Sequence, residues 1–205
     1  MTTTDALAAT AGEPATRPTR PGMLSHVAYI TRDTAATVAF YTDILGMELV
    51  NAVLDDAIPS TGDPVPYFHS FFRMGDGSTV AFFEAPELPP PPAATHPAYD
   101  VFQHLAMQVG AREDVDRWHA WLTDRGVEVL GPVDHKIIYS IYFHDPNGLR
   151  LEITAAIDPT WNDRGPQAHA SLAEWTQVKA TAAETGRDMV SVLADLTRLR
   201  SHRRS

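Results

Sequence analysis

Apolar residues along this chain recur at every second position, then at every third or fourth, then at every second again, and the whole cycle occurs twice. MLSHVAYIT (23–31) reads as a strand. Asp33 or Thr34 can cap the helix that follows, in which Val38, Tyr41 and Leu45 share a face and Gly46 marks the end. MELVNAVL (47–54), YFHSFFRM (67–74) and STVAFFEA (78–85) predict three more strands, the first two joined by a loop long enough to rim a pocket. VFQHLAMQV (101–109) restarts the cycle. The spacing predicts a helix from Glu113 to Asp124 with Val115, Trp118, Trp121 and Leu122 turned inward and Gly126 past its end. VEVLGPV, HKIIYSIYF and LRLEITA complete the second round, and SHVAYI aligns with QHLAMQ as GMELV does with GVEVL. The pattern predicts an α+β fold of two βαβββ modules whose sheets form one open, cup-shaped mixed sheet.

The remaining stretches frame these modules. Residues 1–22, rich in Thr, Ala and Pro, read as a disordered N-terminal arm. Module 1 spans 23–85 and module 2 spans 101–156. Between them PELPPPPAATHPAYD (86–100) is a linker with a stiff polyproline run. Residues 157–205 form a C-terminal helical extension. It carries Leu172, Trp175 and Val178 on one face, then Met189, Val192, Leu193, Leu196 and Leu199 on another, and Gly186 divides it in two. Such faces suit a helix that covers the domain or a second copy, so a homo-oligomer formed through these helices is expected.

Composition narrows the class. A chain of 205 residues with 44% apolar and 20% charged content is globular and has room for a sizeable core. A net charge of −10 argues against nucleic acid or an anionic membrane as a partner. With no cysteine, disulfides, zinc–thiolate sites, iron–sulfur clusters and thiol nucleophiles are excluded. No apolar run approaches the roughly 20 residues that span a bilayer, and the start lacks a signal peptide's basic and apolar regions, so a cytoplasmic, soluble protein is expected.

The chemistry concentrates in VDHKIIYSIYFHDPNGLRLE (133–152), which reads as strand, turn, strand. In its last strand Leu149, Leu151 and Ile153 share one face and Arg150, Glu152 and Thr154 the other. A carboxylate in so apolar a strand is costly to bury unless a cation or donor meets it, which makes Glu152 a candidate metal ligand. His26 and His104 occupy the same position in the first strand of each module. Two imidazoles and one carboxylate with open positions describe a non-haem Fe(II) facial triad.

Val133, His135, Ile141, Tyr142, Asp145, Pro146, Gly148 and Glu152 together resemble the signature of extradiol ring-cleavage dioxygenases, in the vicinal oxygen chelate superfamily. The resemblance extends over about residues 24–156. It implies His26, His104 and Glu152 as metal ligands, and His135 and Tyr142 as catalytic groups that hydrogen-bond the bound diol and the oxygen chemistry. It further implies Fe(II), with Mn(II) as an alternative, O₂ as co-substrate, and a small aromatic diol as substrate. Many such enzymes carry a further histidine on the fourth strand of the first module; here that strand is TVAFFEA, and His69 on the neighbouring strand could substitute only by pointing into the cup. His96, His119, His144, His169 and His202 read as solvated or structural.

A fourth ligand would change the class. Counting from the turn glycines, Gly148 to Glu152 corresponds to Gly77 to Ala81, and alanine cannot ligate. Glu84 would enter only through a bulge. A glyoxalase- or epimerase-like lyase or isomerase using Ni²⁺, Zn²⁺, Mn²⁺ or Co²⁺ is therefore the alternative that Glu84 would favour. A non-catalytic binder resembling the bleomycin-resistance proteins is the second. Phe68, Phe71, Phe72, Phe82 and Phe83 read as core, with some of them available to line an apolar pocket.

Overall fold

A computed structural model describes residues 19–90, 92 and 94–202, so most of the arm expected at 1–22 lies outside the described residues. The described residues divide into two compact units, those up to 92 together with 145–147, and those from 94 to 144 together with 148–202. Each holds one four-stranded mixed sheet, and the α+β class read from the repeat is the observed one.

The first unit runs β1 (His26–Ile30), α1 (Thr34–Ala39), β2 (Glu48–Asp55), β3 (Tyr67–Arg73) and β4 (Thr79–Glu84). Asp33 caps α1, its Oδ1 accepting from the Ala36 amide at 3.0 Å. The helix expected to reach Leu45 is α-helical only to Ala39; Phe40–Ile44 continues it with π-type winding. Gly46 then takes φ +68°, the left-handed conformation that lets the chain leave the helix for β2. Strand order is β1-β4-β3-β2, with β1 parallel to β4 and the other pairs antiparallel.

Register assigns the two faces of this sheet. Phe72 and Phe82 meet Tyr41, with ring centroids 5.2 Å (Tyr41–Phe72) and 4.9 Å (Tyr41–Phe82) apart, and these three and Val80 are fully buried. Burying each such side chain contributes about 1.5–3 kcal/mol, which makes this the core of the unit. The opposite face carries His26, Ala28 and Ile30 of β1, Ala81 and Phe83 of β4, and Tyr67, His69 and Phe71 of β3, since Ala28 pairs with Ala81, Ile30 with Phe83, and His69 with Phe83.

The second unit contains α2 (Ala98–Phe102), β5 (Leu105–Gln108), α3 (Arg112–Asp124), β6 (Leu130–Asp134), β7 (Ile138–His144), β8 (Arg150–Ala156), α4 (Gly165–Thr185) and α5 (Met189–His202). Its order, β5-β8-β7-β6, with β5 parallel to β8, repeats that of the first. The strand expected at 101–109 is shorter, because residues 98–102 wind into α2 and take up both the end of the expected linker and VF of the expected strand. Val115 and Leu122 of α3 are buried as expected, but Trp121 lies outside the core, 41% exposed with the Arg125 guanidinium over its ring.

Gly186, at φ +68°, separates α4 from α5. Val178, Ala182 and Val192 are buried together with Leu193 and Leu196 packed against them, whereas Leu172 and Leu199 remain exposed. No helix among the described residues is long and apolar enough to cross a membrane.

Candidate functional site

The second unit gathers four of the five site residues read from the sequence, His104, Tyr142 and Glu152 toward one sheet face and His135 in the turn before β7. Glu152 pairs with Tyr142 across β7–β8 and with Ala106 across β5–β8, and the alternation that carries Ala106 carries His104. His104 Nε2 lies 2.9 Å from Glu152 Oε2. His104 Nδ1 is 3.3 Å from the Val101 carbonyl oxygen, which can only accept, so Nδ1 carries the proton there. A neutral His104 then turns its Nε2 lone pair toward a carboxylate oxygen, and two acceptors face each other. A proton or a cation between them removes the conflict. Glu152 is 2% exposed, and its other oxygen, Oε1, is buried without a hydrogen-bond partner. A buried carboxylate with one orphaned oxygen and one oxygen facing a lone pair fits a divalent cation.

Tyr142 and His135 extend this cluster. His135 Nε2 and the Tyr142 hydroxyl are 2.9 Å apart, and the His104 and Tyr142 rings meet edge to face at 5.9 Å. Burial, and next the Glu152 carboxylate, push the Tyr142 phenol above its ordinary value, so it stays protonated at neutral pH and can donate. His135 was expected to open β7; it lies in the turn before it, its amide donating to the Ile138 carbonyl, with Lys136 at φ +73°.

Sequence reasoning passed over Arg150, although its position two residues before Glu152 puts it on the same face. Its guanidinium sits 4.7 Å from the Tyr142 ring centroid and 3.8 Å from Asp100, and its Nε is buried without a hydrogen-bond partner.

The fifth residue, His26, belongs to the first unit, at the position of β1 that the repeat equates with His104 in the second. Ser25 Oγ lies 3.2 Å from its Nδ1, leaving Nε2 for a ligand, and its ring packs edge to face on Phe71 at 5.8 Å. Within either unit taken by itself, no three His, Asp or Glu side chains gather around one point among the described residues.

The two residues weighed as additional groups part company. Glu84 pairs with Phe68 in unbroken register, on the face opposite His26, and its Oε2 accepts from the Thr34 amide at 2.7 Å. It serves the N-terminus of α1, where a carboxylate meets unsatisfied amides and the positive end of the helix dipole. His69 does share the His26 face, stacked on Phe83 at 3.5 Å between centroids and 4.0 Å from the Phe71 ring. Burial, and then the His26 imidazole, hold the His69 imidazole below its ordinary value.

The turn after β7 does more than reverse the chain. Asp145, 5% exposed, accepts from the Tyr41 hydroxyl at 3.2 Å and from the Asn147 amide at 2.8 Å, and Asn147 exchanges hydrogen bonds with Thr31 and Thr37. Asp145 and Asn147, two residues of the turn, therefore belong to the packing of the first unit.

Residues 23–153 match the family model described as the glyoxalase/bleomycin resistance protein/dioxygenase superfamily. A 2,2',3-trihydroxybiphenyl dioxygenase from Sphingomonas paucimobilis is 30% identical over 133 residues, which are 63% of this chain and 40% of that protein. The chain thus spans about two fifths of that relative's length. A metallothiol transferase, FosB, from Staphylococcus saprophyticus is 27% identical over 165 residues, 77% of this chain and 94% of its own. Among solved structures, a glyoxylase/bleomycin resistance protein/dioxygenase domain from Frankia sp. EAN1pec superposes with a TM-score of 0.55 at 18% identity, covering 68% of this chain and 96% of that one, a likeness of fold.

Proposed function

Because this chain belongs to the glyoxalase/bleomycin resistance protein/dioxygenase superfamily, we propose that it is an extradiol-type dioxygenase that opens the ring of a catechol-like diol at a divalent iron. His26, His104 and Glu152 are the ligands in this reading. The observation that carries it is the Glu152 carboxylate, buried with one oxygen unpartnered and the other 2.9 Å from a His104 nitrogen whose ring proton is directed elsewhere. The similarity to a trihydroxybiphenyl dioxygenase supports the choice of substrate class.

Bound there, Fe(II) would supply chelation of both diol oxygens and electron exchange with O₂. The chain supplies the rest. The protonated Tyr142 can donate to an anionic diol oxygen, and His135, 2.9 Å from that hydroxyl, can take or return its proton. By the count from the turn glycines Ala81 corresponds to Glu152, and Glu84 accepts from the Thr34 amide at α1; both support a reading with three protein ligands and open positions for a diol and O₂.

Arg150 favours a second reading. A buried guanidinium nitrogen without a partner on the Glu152 face could recognise an anionic substrate, as a metal-dependent thiol transfer to such a substrate would need. Thiol consumption without oxygen uptake would identify that chemistry.

Metal content tests the ligand set. His26→Ala, His104→Ala and Glu152→Ala should each lose bound iron, measured by elemental analysis, with an unchanged circular dichroism spectrum. Stoichiometric iron in any one of them removes that residue from the set.

A further inference from the structure

The first unit holds a cavity of about 530 Å³ on the sheet face that carries His26. Its walls include Ile30, Ile58, Val65, Tyr67, His69 and Phe83. Ligand pockets run from roughly 300 to 1,000 Å³, and an apolar cavity of about 150 Å³ already accepts benzene, so this one has room beyond a single ring. One wall is a loop with its own internal hydrogen bonds. The Ile58 amide donates to the Asp63 carbonyl at 2.9 Å, the Gly62 amide to the Ile58 carbonyl at 2.7 Å, and the Thr61 hydroxyl to Asp63 Oδ2 at 2.7 Å.

His69 is the informative side chain. It is 9% exposed, and its Nε2 is buried with no hydrogen-bond partner. Leaving a buried polar nitrogen unsatisfied is costly, and a ligand able to hydrogen-bond it would remove that cost. The ring is held between Phe83, at 3.5 Å, and Phe71, at 4.0 Å, so its position is fixed by packing. Phe71 in turn touches His26 at 5.8 Å. An unbroken row of rings therefore leads from the His26 imidazole to the cavity.

We propose that this cavity is a binding site for a flat, apolar group of up to two rings that bears one hydrogen-bonding substituent, with His69 Nε2 as that substituent's partner and Phe83 as the stacking surface. Resting on the function proposed above, the group is the part of the diol substrate that does not chelate metal, and the cavity selects ring-extended diols over simple catechol.

The binding step can be tested without metal or turnover. Metal-free protein is titrated calorimetrically with 2-naphthol and with phenol. 2-Naphthol should bind at least about tenfold more tightly, because the second ring buries additional apolar area. Ile58→Trp, which fills the cavity from the loop side, should lower 2-naphthol affinity at least about tenfold by the same measure. His69→Leu should lower it about three- to tenfold, the worth of one hydrogen bond. Equal affinity for 2-naphthol and phenol, or wild-type affinity in both variants with native circular dichroism, overturns the site. Because no reaction is read, a failure of the dioxygenase assignment leaves these results intact, and a failure here leaves the metal assignment intact.

Discussion

At the scale of single residues, the chemistry depends on where protons sit. Tyr142 stays protonated because burial and the Glu152 carboxylate both oppose its ionisation, and His135 lies within hydrogen-bonding reach of its hydroxyl. In the proposed reading neither is a metal ligand. Tyr142→Phe and His135→Asn should therefore keep stoichiometric metal while slowing turnover by about 10²–10⁴-fold, the usual loss when acid–base help is removed. Steady-state rates and metal analysis on the same samples check this, and unchanged rates in both would make the pair structural. His69 predicts a pH effect of definite sign. Its folded-state imidazole is held below the ordinary value, so the unfolded chain takes up the proton first. The stability it contributes is present above the ordinary histidine pKa of about 6.5 and is lost as pH falls through the folded value. His69→Phe should remove this component, so its urea midpoint should fall less than that of the wild type between pH 7 and pH 5. A parallel fall in both proteins contradicts the assignment.

At the scale of elements, each sheet separates its work by face. In the first unit the helix-side face holds Tyr41, Phe72 and Phe82, and the other holds His26, His69 and Phe83. Glu84 falls on the helix side because β3 and β4 pair without a bulge in that stretch, and there it receives the Thr34 amide. Glu84→Gln keeps an acceptor but removes the charge from the α1 N-terminus. It should destabilise the fold by about 0.3–1 kcal/mol and leave metal content unchanged. Denaturant melts and elemental analysis decide the matter, and loss of metal in this variant would return Glu84 to the ligand set. The short helix α2 matters for the same reason: it carries the Val101 carbonyl to His104 Nδ1 and so sets which ring nitrogen faces Glu152.

At the scale of the whole molecule, the duplicated βαβββ order was legible because alternation and helical spacing each survive intact in both copies. The sequence repeat also aligns His26 with His104. That Glu152 and Tyr142 share a face follows from period-2 alternation along β7 and β8, and that His104 meets them follows from the pairing of β5 with β8; the turn that brings His135 to Tyr142 does not follow from alternation. What could not be read depends on contacts distant in sequence. VFQ in 101–103 has strand-like composition, yet 98–102 winds into a helix. Trp121 has the spacing of a core residue but pairs with Arg125 at the surface. Asp145 and Asn147 have turn chemistry, and their bonds to Thr31, Thr37 and Tyr41 lie more than a hundred residues away.

A protein that opens diol rings at iron must consume oxygen as it does so, and oxygen uptake can be measured. Metal-free protein is loaded anaerobically with Fe(II), mixed with a panel of catechols, and exposed to a known amount of O₂. One O₂ should be consumed per diol lost, with a yellow ring-opened product, and Glu152→Ala carried through the same loading should not react. Iron-loaded wild-type protein that leaves every diol and the dissolved oxygen untouched, while consuming a thiol in the presence of an anionic co-substrate, would contradict the dioxygenase assignment.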